Sequence, residues 1–205
     1  MNLIFDFGKV LIDWDPHYLY DPYFGDRTRT DWFLENICTM EWNTQMDGGK
    51  PFAVGVAELS ERFPEWAREI EMFHKDWIKM IGGPIPGMLE FVKEMKAAGH
   101  GVYGLSNWST ETFPLIKDDY PVLGLLDGMV VSGYEGVTKP QPEIYQLLLD
   151  RYSLRAADCV FIDDNPANVA GAAAVSIRGI RFSSAAELTA TLREDGITLL
   201  ENGLK

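Results

Sequence analysis

Residues 1–16, MNLIFDFGKVLIDWDP, place a strongly apolar run directly before an acidic residue and a turn. The run at residues 3–5 is typical of a buried β-strand, yet Asp6 follows it at once and Gly8 comes two positions later. A carboxylate at the end of a buried strand is costly unless another group pairs with it. The stretch therefore predicts a strand whose terminal aspartate has a partner elsewhere in the chain.

The chain of 205 residues is acidic, with 18 Lys and Arg against 31 Asp and Glu and a formal net charge of −13. This charge repels nucleic acids and anionic membranes, so we expect neither as a partner. No apolar run approaches the roughly 18 residues of a membrane-spanning helix, and the basic-then-apolar order of a secretion signal is not found. We therefore expect a cytoplasmic location and a globular domain, because 46% apolar residues suffice for a core.

Short apolar runs alternate with helical patterns along most of the chain. The strand-like runs are LIF before Asp6, GVYGL before Ser106, GMVVSG at 128–133, CVFI before Asp163 and IRGIRF from Ile177. The helix-like stretches are PGMLEFVKEMKAAG, PEIYQLLLDRY, NVAGAAAV and SSAAELTATLRED. This alternation predicts the α/β fold class, with an open and mainly parallel sheet.

About 100 positions separate the first two predicted strands, whereas a crossover with one helix needs only about a dozen or more residues. The intervening sequence is rich in aromatic residues and helix formers and contains no convincing strand. We therefore predict a helical cap over residues 14–83, with GGPIPG at 82–87 as the return to the sheet domain. The core domain is predicted at residues 1–13 and 84–205.

Polar side chains follow the predicted strands at the points where the strands end. They are Asp6, Ser106, and the pair Asp163 and Asp164. Ligands of open α/β sheets bind outside the carboxyl ends of the strands, so we expect these side chains to converge on one edge. Lys139, in the loop before a helix, is placed to reach the same edge, where it could pair with Asp6 and hold an anion.

Four motifs in this order resemble those of the haloacid dehalogenase superfamily, most of whose members are magnesium-dependent phosphatases with an aspartate nucleophile. The motifs are LIFDFG, YGLSN, VTKPQPEIY and VFIDDNPAN, and the helical insertion lies where this family carries its type-1 cap. The resemblance implies a Rossmann-like three-layer sandwich. A narrower resemblance, in FDFGKVLIDWD, LSN, KPQPEIY and FIDDNPAN, is to bacterial α-D-glucose-1-phosphate phosphatases and related branches.

The resemblance implies a role for each acidic motif residue. Asp6 is the expected nucleophile, which would form an aspartyl-phosphate and divide one difficult displacement into two easier steps. Mg²⁺ is the expected cofactor, held by Asp6, the backbone carbonyl of Gly8 and Asp164. Asp163 is expected as a second-sphere or water-mediated ligand, and Asn168 as the residue that orients the acidic loop.

The resemblance also implies how the phosphate is held. Ser106 and the backbone of Asn107 would donate hydrogen bonds to the transferring group, and Lys139 would add a fixed positive charge. Candidates for contact with the rest of the substrate are Trp14, Trp42, Trp108 and Asp47. The predicted partner is a small phosphorylated metabolite, with sugar phosphates favoured.

One position departs from the pattern of most phosphatases of this superfamily, which carry a second aspartate two residues after the nucleophile as general acid and base. Gly8 occupies that position and cannot transfer a proton. The loss of such help slows an enzyme by about 10²- to 10⁴-fold without abolishing its activity. Replacements for the missing acid are solvent, the substrate's own hydrogen bonds, or Asp13, Asp15 or Asp47.

Two other functions remain open on the same fold. The 2-haloacid dehalogenases use the equivalent aspartate to displace halide from carbon, without a metal and without the second aspartate. Their fourth motif is typically serine-rich, whereas this chain has Asp163 and Asp164, which would repel Asp6 strongly without a cation between them. The second alternative is a non-catalytic sensor of phosphorylated sugars, which only a measurement of turnover excludes.

Overall fold

The computed structural model describes residues 1–197, in which seven β-strands and ten α-helices are connected by loops and short 3₁₀ turns. The strands are β1 (Asn2–Phe5), β2 (Ile12–Trp14), β3 (Ile81–Pro84), β4 (Gly101–Ser106), β5 (Gly128–Val131), β6 (Cys159–Asp163) and β7 (Arg178–Arg181). The helices are α1 (His17–Phe24), α2 (Arg27–Asn36), α3 (Met40–Asp47), α4 (Phe52–Arg62), α5 (Ala67–Lys75), α6 (Met88–Ala97), α7 (Ser132–Glu135), α8 (Pro142–Arg151), α9 (Pro166–Ala174) and α10 (Ala185–Glu194).

Five strands form one parallel sheet in the order β5-β4-β1-β6-β7, with β1 at its centre. In register, Phe5 lies opposite Gly104 on one side and Ile162 on the other. The carboxyl ends of β1, β4 and β6 therefore meet at one edge of the sheet. This pairing brings the residues that follow the three strands close together.

Side chains of a strand alternate between the two faces of the sheet, so both faces need a covering layer, and helices pack on each of them. Phe5 packs on one face against Phe91 of α6, with ring centroids 6.2 Å apart. On the opposite face, Tyr145 of α8 packs edge-on against Phe161 of β6 at 5.4 Å. Each fully buried aromatic side chain stabilises the fold by about 1.5–3 kcal/mol. The predicted α/β fold with a mainly parallel sheet and three layers is confirmed.

The residues between β2 and β3 form the helices α1 to α5, which pack around an aromatic cluster. Tyr20 contacts Phe33 at a centroid distance of 4.8 Å, and Phe33 contacts Trp66 at 5.3 Å. Side-chain caps fix where two of these helices begin, because Asp26 accepts from the Thr28 amide and Thr39 from the Trp42 amide.

The helical stretch is bounded by two strands, which corrects the prediction that residues 14–81 contain none. β2 and β3 pair antiparallel, with Asp13 opposite Gly83 and Trp14 opposite Ile81. The strands were missed because each has only three or four residues and its partner lies far away in the sequence. The predicted boundaries at residues 13/14 and 83/84 fall inside this strand pair and stay a prediction, and residues 198–205 of the predicted core lie outside the described residues.

None of the described helices combines the length and hydrophobicity that crossing a bilayer requires. The predicted cytoplasmic location stays a prediction.

Candidate active site

The carboxylate of Asp6, for which the sequence predicts a partner elsewhere in the chain, contacts both a hydroxyl group and a lysine. Its Oδ1 atom accepts a hydrogen bond from Ser106 Oγ at 2.7 Å and one from its neighbour's amide, Phe7 N, at 2.6 Å. Lys139 Nζ lies 2.9 Å from the same oxygen. No described residue hydrogen-bonds the second oxygen, Oδ2, so this atom is available for chemistry.

Lys139 is the cation at the centre of the site, and its side chain is completely buried. Its Nζ also lies 2.7 Å from Asp163 Oδ2. Burial alone would lower the pKa of Lys139, but Asp6 and Asp163 together raise it above its usual value. Lys139 is therefore held as a fixed positive charge between two carboxylates.

The pKa of Asp6 is raised to about 7, because burial and then the charge of Asp163 outweigh the lowering effects of Lys139 and Ser106. A single buried cation thus does not balance the carboxylates around it. A second positive charge at this point would stabilise the ionised form of Asp6.

Both carboxylate oxygens of Asp163 contact other groups of the protein. Oδ2 contacts Lys139, and Oδ1 accepts from the backbone N–H of Asn165 at 2.8 Å. Asn168 Nδ2 donates to both oxygens, at 3.0 and 3.2 Å. Asn168 therefore holds Asp163 in place, and the role of Asp163 as a water-mediated metal ligand stays a prediction.

Asp6, Asp163 and Asp164 each offer an oxygen, and these three atoms lie within 4.8 Å of one another. Burial and then the neighbouring Asp163 raise the pKa of Asp164. Carboxylate oxygens are the ligands that Mg²⁺ takes in proteins, and the mutual repulsion of the three groups is relieved by a cation between them. These residues fit the predicted magnesium site, with Asp6 and Asp164 as the carboxylates that remain free to bind it. Gly8 lines the same cavity, and its role as a carbonyl ligand stays a prediction.

The side chain of Asn107 holds the lysine loop in place. Its Oδ1 accepts from the backbone N–H of Lys139 at 2.8 Å, and its Nδ2 donates to the Lys139 carbonyl at 2.9 Å. This paired clamp fixes the distance between the loop after β4 and the loop before α8. The sequence assigned only the Asn107 backbone, so this positioning role of the side chain was missed.

A cavity of about 590 Å³ opens over these groups, a volume in the usual range for small-molecule sites. Its walls come from the loops at the sheet edge, from β2 and from α3. They consist of Asp6, Gly8, Lys9, Trp14, Met40, Asn43, Thr44, Asp47, Trp77, Ser106, Asn107, Trp108, Thr112, Lys139, Pro140, Asp164, Asn165, Pro166, Ala167, Asn168 and Arg181. The predicted substrate contacts Trp14, Trp108 and Asp47 are among them.

Trp42 does not line this cavity, which corrects its prediction as a substrate contact. Its ring packs edge-on against Phe73, with centroids 5.1 Å apart, and its Nε1 donates to the Gly55 carbonyl at 3.2 Å. Trp42 lies between the wall residues Met40 and Asn43 in α3 but on another face of the helix, and it points into the helical layer instead.

The three acids proposed to replace the missing aspartate occupy different places. Asp13 accepts a hydrogen bond from the Tyr18 hydroxyl at 2.6 Å, and Asp15 accepts from the backbone N–H of His17 at 2.9 Å. Neither lines the cavity. Asp47 does, at the carboxyl end of α3.

Asp47 is held from two directions. Its Oδ2 accepts from Asn43 Nδ2 at 2.9 Å, and its carbonyl accepts from the Ser132 hydroxyl, which ties α3 to the sheet domain. Burial and then the charge of Asp6 raise the pKa of Asp47 to about 7, while the Ser109 N–H and Lys139 lower it. This carboxyl group is therefore suited to exchange a proton near neutral pH.

The space beside Gly8 is open, because a Cβ atom built there would meet no atom within 4 Å. No other described side chain has taken the place of the aspartate that related phosphatases carry. A proton donor has to reach the reacting oxygen from another wall of the cavity.

Sequence reasoning missed several wall residues, of which Asn43 and Arg181 are the most informative. Arg181 ends β7 and donates to the Asp164 carbonyl at 3.3 Å. The rule that located Ser106, a polar residue at the carboxyl end of a parallel strand, would have found it. Asn43 precedes Asp47 by four residues, so the two face the same side of a helix, but that spacing alone is too common to single out a site.

Comparison with known proteins places the chain in a family. The model of the haloacid dehalogenase-like hydrolases matches residues 18–176. The chain belongs to this family. The haloacid dehalogenase-like assignment agrees with the broader of the two sequence resemblances, and the narrower one, to glucose-1-phosphate phosphatases, stays a prediction.

Curated relatives of this haloacid dehalogenase-like protein include phosphate-ester hydrolases. Sesquiterpene phosphatase astK of Aspergillus oryzae is 30% identical over 111 residues, which cover 54% of this chain and 57% of the relative. The chloroplast flavin mononucleotide hydrolase 1 of Arabidopsis thaliana is 28% identical over 115 residues, covering 56% of this chain and 46% of the relative. The match thus spans about half the length of either curated relative.

Solved structures share the haloacid dehalogenase-like fold. A family enzyme of Bacteroides thetaiotaomicron, in complex with magnesium and inorganic phosphate, has a TM-score of 0.67 at 18% identity, covering 90% of this chain and 94% of that one. The L-2-haloacid dehalogenase of Xanthobacter autotrophicus, with chloropropionic acid covalently bound, has a TM-score of 0.65 at 16% identity, covering 98% and 86%. Because both identities are low, these likenesses concern the fold alone.

Proposed function

We propose that the protein is a Mg²⁺-dependent phosphatase that hydrolyses a small phosphorylated metabolite, with a sugar phosphate as the favoured substrate. The observation that carries this proposal is the grouping of Asp6, Asp163 and Asp164 around one point, with Lys139 buried beside them. The two curated relatives, a sesquiterpene phosphatase and a flavin mononucleotide hydrolase, support it.

In the proposed mechanism the carboxylate of Asp6 attacks phosphorus, and the bond between phosphorus and the leaving oxygen breaks. Lys139 and the Ser106 hydroxyl hold Oδ1, which fixes the orientation of the carboxylate. The bond electrons go to the leaving oxygen, which takes a proton from Asp47. Water then attacks the aspartyl-phosphate and gives its proton to Asp47, which restores Asp6 and releases phosphate.

Mg²⁺ bound by Asp6 and Asp164, and by the Gly8 carbonyl, would stabilise the negative charge on the transferring phosphoryl oxygens. The protein adds cations of its own around the cavity, namely Lys9, Lys139 and Arg181. These charges attract an anionic substrate locally, although the chain as a whole carries a net charge of −13.

The dehalogenase alternative is disfavoured by the acids themselves. Metal-free displacement of halide needs no further carboxylates beside Asp6, and the raised pKa of Asp164 reflects the cost of placing one there. A phosphosugar sensor without turnover is disfavoured by the open Oδ2 atom of Asp6, since binding alone does not need a free nucleophile.

A panel of phosphate esters tests the proposed function. We expect phosphate release with Mg²⁺ from hexose, pentose and triose phosphates, with a preference for one of them, and no halide release from 2-chloropropionate. Halide release would favour the dehalogenase function. Binding of esters without any turnover would favour the sensor.

Asp47→Asn tests the proposed proton donor. We expect the rate for alkyl phosphates, whose alkoxides leave poorly, to fall by about 10²- to 10⁴-fold, and the rate for aryl phosphates to change little. The measurement is kcat/KM over a series of esters that differ in leaving-group pKa, and the variant should show the steeper dependence. The matched controls are Asp13→Asn and Asp15→Asn, which alter carboxylates outside the cavity.

The pH profile provides a second readout for Asp47. Because its pKa is raised to about 7, Asp47 loses the proton it must donate as the pH rises above that value. The wild-type rate on alkyl phosphates should therefore decrease at higher pH, and Asp47→Asn should lack this decrease. Equal slopes and equal pH profiles in both proteins would contradict the assignment.

A further inference from the structure

Three buried polar side-chain atoms of the described residues have no hydrogen-bond partner within the protein. They are Trp14 Nε1, Asn43 Oδ1 and Trp108 Nε1. Buried polar groups are nearly always paired, so each exception needs an explanation. All three residues line the cavity above Asp6, although cavity residues are a small minority of the chain.

Trp108 is held rigidly. Its ring packs edge-on against Trp77 at 5.6 Å and lies 6.4 Å from Phe7, and only 4% of the residue is exposed. Its backbone N–H donates to the Ser132 hydroxyl at 3.0 Å. The indole therefore has a fixed place two residues after Ser106, close to the proposed phosphate site.

The orientation of the Asn43 amide is fixed by its neighbour. Nδ2 donates to Asp47 Oδ2 at 2.9 Å, so Oδ1, on the other side of the amide group, points away from this contact. Only 5% of the surface of Asn43 is exposed. The amide oxygen is thus an enclosed acceptor beside the proposed proton donor.

The three atoms come from three separate elements: β2, α3 and the loop after β4. Two are indole N–H donors and one is an amide acceptor. A hydroxyl group can pair with either kind, since it both accepts and donates. A hydrocarbon can pair with neither, so only a ligand with hydroxyl groups gains hydrogen bonds from these three groups on binding.

We propose that Trp14, Asn43 and Trp108 form a hydroxyl-recognition subsite, at which the indole N–H groups donate to, and the amide oxygen accepts from, hydroxyl groups of the leaving group. The subsite selects a polyol or sugar phosphate over an ester of similar size without hydroxyl groups. It rests on the proposed phosphatase function and adds to it the chemistry of the leaving group.

Replacing single indole N–H groups tests the subsite. The variants are Trp14→Phe and Trp108→Phe, which keep an aromatic ring and remove the donor. The probes are a hexose phosphate, chosen as the one that the wild type hydrolyses fastest, and cyclohexyl phosphate, which keeps a six-membered ring without hydroxyl groups. The quantity measured is kcat/KM for the hexose phosphate divided by kcat/KM for cyclohexyl phosphate. Comparing this ratio between the wild type and a variant removes the effect of the different intrinsic reactivities of the two esters.

We expect this ratio to fall by about 3- to 10-fold in each variant, the effect of one lost neutral hydrogen bond. The fall should come mainly from the hexose phosphate, because only this ester loses a hydrogen bond in the variant. Trp42→Phe is the matched control, since it removes a buried indole N–H that is already paired with Gly55 outside the cavity, and it should leave the ratio unchanged.

An unchanged ratio in both Trp14→Phe and Trp108→Phe would overturn the subsite while leaving the phosphatase function intact. If neither ester is hydrolysed, the proposed function fails, and calorimetric titration of the same two esters with Mg²⁺ still decides the subsite. Tighter binding of the hexose phosphate, lost in both variants, supports it. Equal binding of the two esters by the wild type overturns it.

Discussion

Asp6→Asn is expected to lower kcat by about 10⁴-fold or more while the protein stays folded, because the amide keeps the shape of the side chain and loses the nucleophilic charge. Lys139 stays paired with Asp163 in this variant, so no buried cation is left alone. Burial raises the pKa of Asp6 to about 7, which means that its charge is unfavourable in the folded protein, and the neutral amide should preserve stability at pH 8. Steady-state release of phosphate and thermal unfolding measure the two effects.

The matched control for this variant is Asp13→Asn, the same substitution at a carboxylate that bonds Tyr18 outside the cavity. It should retain wild-type turnover. Retained turnover in Asp6→Asn, with the substitution verified by mass spectrometry, would contradict the covalent mechanism. Trapping of a phosphorylated protein by acid quench in the wild type, and not in the variant, would support the mechanism independently.

Removal of Mg²⁺ is expected to reduce the rate to less than about 1% of its starting value, because the three carboxylates then repel the substrate phosphate without a cation between them. Excess EDTA followed by readdition of Mg²⁺ should abolish and restore phosphate release. Unchanged circular dichroism would show that the chelator acts on the site and not on the fold. Full activity in EDTA would contradict the magnesium assignment.

Substitution of one carboxylate tests where Mg²⁺ binds. Asp164→Asn should raise the Mg²⁺ concentration needed for half-maximal rate by about tenfold or more. Asp158→Asn is the control, since Asp158 lies at the opposite end of β6 and pairs with Arg155 on the surface. Equal Mg²⁺ requirements in the two variants would place the metal elsewhere.

The sheet and its polar edge could be predicted because their signals are local. Each strand is a short apolar run, and each run ends at a residue that the parallel arrangement carries to the same edge. Asp6 and Ser106 are 100 positions apart, yet the sequence predicts that they converge on one edge, and the structure places them in a 2.7 Å hydrogen bond. The helices α6, α8, α9 and α10 were likewise visible from their amphipathic pattern.

Features that depend on distant packing could not be predicted. β2 and β3 become strands only by pairing with each other, and neither has the alternation or length of an independent strand. Trp42 and Trp108 look equally suited to contact a substrate in sequence, but helix rotation turns Trp42 into the helical layer. Asn43 Oδ1 is unpaired because of where Asp47 and the other cavity residues lie around it. The spacing of residues in the sequence does not predict this arrangement.

The central position of β1 ties the completion of the site to the completion of folding. Residues 2–5 pair with residues 101–104 and 159–162, so β1 has both of its neighbours only after both distant segments have formed. Pairings of such long range are slow to form, because the entropy of closing the intervening chain opposes them. Asp6 thus meets Lys139 and Asp163 only once β4 and β6 have joined β1. Under the proposed mechanism, turnover per molecule would therefore report the fraction of chains in which these strands have paired.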